Sequence, residues 1–371
     1  MTSNAFFERI KTQYSNQLPF VAFRKPNALK ISSFLQNTND LFFAEDYSEK
    51  GFVFAPFDDS EKTVLIPTEF SEQLETVFEF SEDITSAEAI TSASELDKAF
   101  HINLVKQGVE AIKNNKFKKV VLSRKEAVSL SEENPLQIYK NLLKTYKSAY
   151  VYCWFHPKVG LWLGATPETL IKIEGKRFSI MALAGTQNYK GNLEVLWQDK
   201  ELQEQQFVTD FILDNLNPLA ESIKTSDVET VKAGNLVHLK TMISAQLKAS
   251  VSLQTVVHAL HPTPAVCGLP KLSAKEFILE NENYNREFYT GFLGELNAET
   301  TIAPRSGRRN IENRAYSISR KSTQLYVNLR CMQLKNQEAI LYVGGGITIN
   351  SNPEKEWLET VSKSLVIKSV I

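Results

Sequence analysis

Two glutamates, Glu201 and Glu204, open a segment whose apolar residues repeat at helical spacing. In WQDKELQEQQFVTDFILDNL they lie on one line with Val208 and Phe211. A surface helix would carry such glutamates on its opposite face, and a carboxylate buried without a cation is costly. The pattern therefore directs the pair at a cavity or at an interface between lobes. A solvated first turn, stabilised by the helix dipole, is the alternative for this pair taken alone.

A second pair, Glu356 and Glu359, has the same spacing near the end of the sequence. The pair precedes Lys363 in PEKEWLETVSKSLVIKSVI, where Pro353 marks the start of the helix. If the two acidic helix ends face each other, they form an oxygen-rich site with several open positions. Mg²⁺ prefers such a site when it also binds an anionic substrate.

Groups suited to binding an anion lie in the segments LYVNLRCMQL and AILYVGGGITI. Arg330 is predicted on the polar face of a strand, where its guanidinium can hold a carboxylate through two hydrogen bonds. An ordinary cross-strand ion pair is an equal alternative. Gly344, Gly345 and Gly346 are predicted to follow a strand, where backbone N–H groups can form an anion nest or the chain can form a tight bulge.

Three further polar residues stand at the edges of apolar segments. Lys119 opens the strand KVVLSR, although most lysines of such a basic stretch are solvated. Glu168 follows Pro167 at the bend between two apolar strands, where the backbone is constrained. For His238, in NLVHLK, a hydrogen-bonded core histidine is the default interpretation. None of the three identifies a reaction by itself.

The elements that must position these residues indicate an α+β fold. The predicted strands include KKVVLSRKEAV, AYVYCWFH, GLWLGA, TLIKIEG, QLYVNLRCMQL and AILYVGGGITI. Helical spacing predicts helices near residues 134–148, 197–217, 271–283 and 353–365. Several strands follow one another through short turns, which favours antiparallel hairpins over a doubly wound parallel sheet.

A change of composition predicts a boundary. Residues 72–97 carry eight acids without one Lys or Arg, which indicates a linker or an exposed insertion. Residues 1–97 are then an N-terminal part of the body, and residues 98–371 form the better-organised region. The basic stretch 305–321 is predicted to be a charged hairpin extension, with a nucleic-acid-binding arm as the weaker alternative.

Overall composition excludes several classes of protein. The 371 residues carry 43 acids against 42 Lys plus Arg, so the net charge of −1 disfavours a general nucleic-acid partner. The first residues, MTSNAFFERIKTQYSNQ, contain no apolar core of a signal sequence, and no apolar stretch approaches the length of a membrane span. The three cysteines are too few and too far apart for a disulfide framework or a zinc site, which favours the cytosol.

Taken in order, the motifs KVVLSR, GATPE, LAGT, KELQEQQFV, HPTPAVCG, YNREFYTGFLG, LYVNLRC, GGGI and EKEWLETVSKS resemble those of the chorismate-utilising family. This family contains isochorismate, salicylate, anthranilate and aminodeoxychorismate synthases. The resemblance covers roughly residues 100–371, and so many motifs in one order make it specific. It implies layered antiparallel sheets with helices packed outside and Mg²⁺ in a central cleft.

The resemblance also implies roles for individual residues. The family's metal carboxylates match Glu204 and Glu359, with Glu201 and Glu356 beside them acting directly or through water. The positions that match residues holding the substrate carboxylates or lying near its ring are Arg330, Lys363, Gly344, Gly345, Gly346, Ala184, Gly185, Thr186 and His238. Chorismate has two carboxylates, so two cationic anchors and a metal make chemical sense.

Within the family, the nucleophile decides the reaction. Lys119 matches a lysine that takes a proton from water attacking C2, and Glu168 matches the acid that protonates the C4 hydroxyl as it leaves. Aminodeoxychorismate synthases commonly carry a lysine at Ala184, so water is the expected nucleophile and no glutamine amidotransferase subunit is expected. The implied reaction converts chorismate to isochorismate, with salicylate formation or an inactive chorismate-binding homologue as alternatives.

Two departures from the family pattern concern positioning. Gln205 stands where a His is frequent, and Thr166 replaces a frequent Ser. Neither change removes a catalytic group. Menaquinone synthesis is the expected pathway and siderophore synthesis the alternative, although no residue separates the two.

Overall fold

The structure, a computed structural model, describes residues 1–78, 94–131, 134–233, 236–302 and 318–371. The central part of the acidic segment, 79–93, and most of the basic stretch, 303–317, lie outside the described residues. Within the described residues the α-helices are Ser3–Ser15 (α1), Glu95–Lys113 (α2), Pro135–Thr145 (α3), Asp199–Leu216 (α4), Leu253–Leu260 (α5), Lys271–Asn281 (α6) and Pro353–Lys368 (α7). None of these helices has the length and apolarity that crossing a membrane requires.

The strands of the described residues form two large sheets. In chain order they are Phe20–Arg24 (β1), Lys30–Gln36 (β2), Phe42–Phe43 (β3), Gly51–Ala55 (β4), Val64–Pro67 (β5), Ser71–Val77 (β6), Lys119–Ser129 (β7), Tyr150–His156 (β8), Gly160–Thr166 (β9), Thr169–Glu174 (β10), Arg177–Asn188 (β11), Ala220–Thr225 (β12), Glu229–Ala233 (β13), Leu236–Leu247 (β14), Gly268–Leu269 (β15), Phe292–Ile302 (β16), Ile318–Val327 (β17), Cys331–Lys335 (β18) and Glu338–Ile347 (β19).

Every strand pair in these ranges is antiparallel. The first sheet has the order β15-β7-β19-β18-β9-β8-β1-β2-β6. The second has the order β12-β14-β11-β10-β17-β16-β4-β5-β3, with β13 paired to β14. The predicted α+β class with antiparallel sheets is confirmed.

The N-terminal part contributes to both sheets. Strands β1, β2 and β6 extend the first sheet, and β3, β4 and β5 extend the second. The predicted acidic linker of residues 72–97 begins inside β6 and ends in the first turn of α2. Helix α1 was not predicted; its buried face, with Phe6, Phe7 and Ile10, packs into the core of the first sheet.

Helices cover the outer faces of the sheets. Helices α2, α3 and α7 contact strands of the first sheet, and α4 contacts β11 and β14 of the second. Local signals fix where two of them begin. The side chain of Asn352 accepts a hydrogen bond from the α7 backbone just before Pro353, and Asn134 does the same for α3 before Pro135.

Between the sheets lies an aromatic core. The ring of Phe54, from the second sheet, packs against Trp154 and Trp162 of the first and stacks on Phe288 at 4.2 Å. Tyr150 stacks on Tyr326 from the opposite sheet at 4.0 Å. Such pairs add to the free energy of burying the rings, and they fix how the two sheets face each other.

Two short segments cross from one sheet to the other side by side. Residues 167–168 connect β9 to β10, and residues 328–330 connect β17 to β18. The crossings are hydrogen-bonded, because the Val327 amide donates to the Glu168 carbonyl and the Ala165 amide donates to the Arg330 carbonyl, each at 3.1 Å. The prediction of one continuous strand through LYVNLRCMQL was therefore wrong, and Arg330 has a left-handed φ of 48° at the break.

Candidate active site

A cleft opens beside these crossings. It is bounded by β7 and β19 of the first sheet, by β11 and β14 of the second, and by α4 and α7. The predicted residues that line it are Glu168, Ala184, Gly185, Thr186, Glu204, His238, Arg330, Gly344, Gly345, Gly346, Glu359 and Lys363. Side chains separated by almost two hundred positions thus meet in one place.

Glu204 lines the cleft and pairs with the buried Lys119. Lys119 is 0% exposed, and its Nζ lies 2.9 Å from Oε1 of Glu204. Burial would raise the pKa of Glu204, but the charges of Lys119, Lys200 and Lys363 lower it below its usual value. The carboxylate of α4 therefore stays ionised in a buried position.

Glu168 lines the same cleft but, unlike the ionised Glu204, it is protonated. It is 3% exposed, and burial raises its pKa to about 8 although the charge of Lys119 opposes this shift. Its amide donates to Oγ1 of Thr166 at 3.3 Å, an oxygen that a serine would also supply. At neutral pH Glu168 is a protonated acid, as a proton donor must be.

The carboxylates at the start of α4 and α7 converge on the glycine strand β19. A Cβ on Gly345 would lie 3.6 Å from both Oε2 of Glu356 and Oε1 of Glu359, and a Cβ on Gly346 would overlap Oε1 of Glu204. Each of these three carboxylates also has a lysine partner; the pairs are Glu204 with Lys119, Glu356 with Lys200 and Glu359 with Lys363.

This arrangement fits a hard divalent cation. Within the described residues no three acidic, His or Cys side chains are already close enough to bind one ion. Mg²⁺ takes one or two protein carboxylates together with water and substrate, so Glu204 and Glu359 suffice as ligands. Both carboxylates border the open space above the glycines, whereas the Glu356 side chain is 3% exposed and bonded to Lys200.

Glu201 lies beside this group, and its carboxylate has another use. Its Oε2 accepts a hydrogen bond from the amide of Gln198 at 2.8 Å and closes a capping box at the start of α4. Gln205, the departure noted above, also turns away from the cleft. Its amide donates to the hydroxyls of Thr209 and Thr241 in the core.

Groups that can bind anions line the other side. Arg330 projects from its crossing into the cleft, and Nζ of Lys363 donates to the Gly344 carbonyl at 2.8 Å and to Glu359 at 2.7 Å.

His238 is held by its Nδ1, which lies 2.9 Å from the Gly185 carbonyl. Burial and then the charge of Arg330 lower the pKa of His238 to about 3, so the ring is neutral. With Nδ1–H donating to that carbonyl, Nε2 is a hydrogen-bond acceptor.

The three glycines do not form a loop after a strand, and this prediction was wrong. They lie within β19, where Gly344, Gly345 and Gly346 are opposite Ser123, Leu122 and Val121 of β7. The missing side chains of Gly345 and Gly346 leave room for the carboxylates of Glu356, Glu359 and Glu204. The glycines thus let the acidic side chains of α4 and α7 lie close to the backbone of β19.

Gly346→Ala is expected to displace Glu204. The carboxylate is the movable end of its side chain, so we expect a small loss of stability but an approximately tenfold or larger loss of Mg²⁺ affinity, as for other residues that orient metal ligands. Gly345→Ala is the matched control, because its Cβ would meet only ordinary contacts. Isothermal titration with Mg²⁺ compares them; equal affinities would contradict the assigned role of Gly346.

Two functional residues were missed from the sequence. Lys200 precedes Glu201 at the start of α4, where a lysine is commonplace. Tyr289 lines the cleft and stacks on Tyr342 at 5.5 Å. Tyr289 belongs to the motif YNREFYTGFLG, and its position in that motif was the available signal.

Comparison with known proteins identifies the family of this chain. The sequence profile of the chorismate binding enzyme family matches residues 53–317, and a second profile with the same description matches residues 315–369. Isochorismate synthase MenF of Pasteurella multocida (strain Pm70) is 29% identical over 286 residues, which are 74% of this chain and 62% of that protein. Isochorismate synthase DhbC of Bacillus subtilis (strain 168) is 28% identical over 281 residues, which are 70% and 65% of the two chains.

The fold has a close match among solved structures. A crystal structure of DhbC from Bacillus anthracis superposes with a TM-score of 0.77 over 98% of both chains, at 23% sequence identity. The chain spans slightly less than two thirds of the length of the two curated relatives. Because the first family profile alone covers most of the sequence, this chain belongs to the chorismate binding enzyme family.

Proposed function

We propose that the protein is an isochorismate synthase, an isomerase that interconverts chorismate and isochorismate. The observation that carries the proposal is the protonated Glu168 in the cleft, which feels the charge of the buried Lys119 behind Glu204. Water addition at C2 with loss of the C4 hydroxyl needs one proton acceptor and one proton donor. The names of the relatives support the same reaction.

In the proposed reaction Lys119 and Glu168 exchange the roles of base and acid when the direction of the reaction is reversed. Going forward, Lys119 must first lose its proton to solvent; it then takes a proton from the water that attacks C2, and Glu168 gives its proton to the C4 oxygen, which leaves as water. The enzyme thereby gains one proton at Lys119 and loses one at Glu168. Exchange with solvent returns a proton to Glu168 and removes one from Lys119 before the next forward turnover.

Other residues bind and orient the substrate. The guanidinium of Arg330 can hold one carboxylate of chorismate in a bidentate manner, and Nε2 of His238 can accept a hydrogen bond from a hydroxyl group. Glu204 and Glu359 would hold Mg²⁺, which would supply positive charge for the other carboxylate of chorismate. Ala184 places no amine near the ring.

The reaction is tested by incubating the pure protein with chorismate and Mg²⁺ and separating the products by chromatography. Isochorismate as the main product, reached also from the reverse direction, is the expected result. Salicylate with pyruvate would identify a salicylate synthase instead. Unchanged chorismate, despite measurable binding, would identify an inactive homologue.

Removal of either carboxylate that borders the cleft is expected to abolish Mg²⁺-dependent turnover. Glu204→Ala and Glu359→Ala each delete an oxygen ligand that no described neighbour replaces, whereas Glu356→Ala and Glu201→Ala should have smaller effects because these groups support the site. Glu354→Ala, an exposed change in the first turn of α7, is the control. Turnover that is insensitive to chelator would contradict the metal site.

We further propose a cytosolic enzyme that serves menaquinone synthesis without an amidotransferase subunit. Its three cysteines are buried and free, as in a reducing compartment. Deletion of the gene followed by measurement of quinones tests the pathway. Unchanged menaquinone with loss of a siderophore would favour the other pathway, and stimulation by glutamine with a partner subunit would contradict water as the nucleophile.

A further inference from the structure

Among the lysines that pair with Glu204, Glu356 and Glu359, one has no part in the proposed reaction. Lys119 is the proposed base, and Lys363 ties α7 to β19 beside the anion site. Lys200 has neither role. It lies in the first turn of α4, and its Nζ donates to Oε1 of Glu356 in the first turn of α7.

The burial of the two partners differs strongly. The side chain of Glu356 is 3% exposed and that of Lys200 is 25% exposed. Burial would lower the pKa of Lys200, but the charges of Glu356, Glu204 and Glu359 raise it above its ordinary value. Lys200 is thus a cation that contacts Glu356 and acts electrostatically on Glu204 and Glu359.

A buried carboxylate is stable only with a compensating cation. Lys200 supplies one at Glu356, and its partly exposed, flexible side chain can move into solvent when another cation takes its place. Lys119 cannot move in this way, because it is 0% exposed at the start of β7. Because of this difference in exposure, Lys119 is a permanent partner of Glu204, whereas Lys200 is a replaceable partner of Glu356.

We propose that Lys200 is a built-in counter-ion for the divalent cation site: it holds Glu356 while the site is metal-free, and it releases Glu356 to a water of the metal when Glu204 and Glu359 bind that metal. The inference rests on the proposed metal site but not on the identity of the reaction. It makes Lys200 a positioning residue that weakens metal affinity and stabilises the metal-free protein.

The test is titration of the full-length protein with MgCl₂ in the absence of chorismate, by isothermal titration calorimetry. Lys200→Met and Lys200→Gln should bind Mg²⁺ about tenfold more tightly than the wild type, the factor expected when a competing charge-assisted hydrogen bond is removed. Lys200→Arg keeps the charge and should stay within about threefold of the wild type. Lys355→Met removes an exposed positive charge one residue from Glu356 and is the matched control.

Thermal unfolding gives a second readout. Without Mg²⁺ the melting temperature of Lys200→Met should fall below that of the wild type, and saturating Mg²⁺ should reduce the difference, because metal bound to the native state stabilises it. If Lys200→Met does not fold, the titration of Lys200→Gln decides.

Several results would overturn the proposal. Unchanged or weaker Mg²⁺ affinity in the Lys200 variants would do so, and so would equal tightening in Lys355→Met, which would show a general charge effect. A wild-type protein that binds no Mg²⁺ would remove the metal site and this proposal together. Tighter binding in a protein that forms no isochorismate would overturn the proposed reaction while supporting the role of Lys200.

Discussion

Replacing Glu168 by Gln should lower turnover by about 10²–10⁴-fold, the usual contribution of a general acid. Glutamine has nearly the same shape and can still donate a hydrogen bond, but it cannot release a proton to the C4 oxygen. Folding and chorismate binding should persist, because Glu168 is neutral in the resting cleft. Steady-state kinetics and a separate binding measurement distinguish the two effects. Glu174→Gln, an exposed change at the far end of β10, is the control.

Two pH measurements sharpen this prediction. Turnover by the wild type should decline as the pH rises above about 8, where Glu168 loses its proton. Since the folded-state pKa is raised above the unfolded one, the stabilisation from a neutral Glu168 is complete below its usual pKa and is lost as the pH rises toward about 8. Glu168→Gln should lack this loss in urea unfolding. Near-normal turnover would remove Glu168 from its role.

For Lys119→Ala we expect an equally large fall in turnover, again about 10²–10⁴-fold, because the proton of the attacking water then has no acceptor. The substitution also leaves Glu204 without its 2.9 Å partner. Melting temperature and chorismate binding must therefore be measured alongside the kinetics. Lys118→Ala, an exposed neighbour, controls for loss of charge.

A chemical rescue separates a base from a structural partner. Small primary amines added to Lys119→Ala should restore part of the turnover, and the restored rate should depend on the basicity of the amine. Amines that restore the melting temperature without turnover would indicate a purely structural lysine. Turnover close to wild type in Lys119→Ala itself would remove the base.

The site was predictable where short-range patterns reflect long-range geometry. The helices of α4 and α7 follow from periodicity, capping residues and Pro353, and the face of α4 directs Glu204 inward. The buried bend at Glu168 follows from its position between two apolar strands. The sequence could not show that the starts of α4 and α7 meet over β19. Nothing in the local pattern encodes the pairing of β19 with β7.

The wrong predictions arose because contacts between residues far apart in sequence overrode the local pattern. The alternation in LYVNLRCMQL continues through Asn328, yet the strand breaks there because the Asn328 amide donates to the Gly291 carbonyl and its carbonyl accepts from the Thr290 amide. Those partners are almost forty residues away in sequence. Gly344 to Gly346 were predicted to form an anion nest or a tight bulge after a strand, but pairing with β7 keeps them within the strand. For Glu201 and Glu204 a solvated first turn was the alternative to a site in a cavity. The structure shows Glu201 in a capping box, which was not predicted, and Glu204 in the cleft.

The side-by-side crossings of residues 167–168 and 328–330 have a mechanical consequence. Each is a covalent tether between the sheets, and reciprocal backbone hydrogen bonds clamp the two tethers together. The proton donor Glu168 and the anchor Arg330 therefore sit on one stiff rim of the cleft, with their spacing set by the backbone. The opposite rim, where α4 and α7 meet through the side chains of Lys200 and Glu356, is the compliant one.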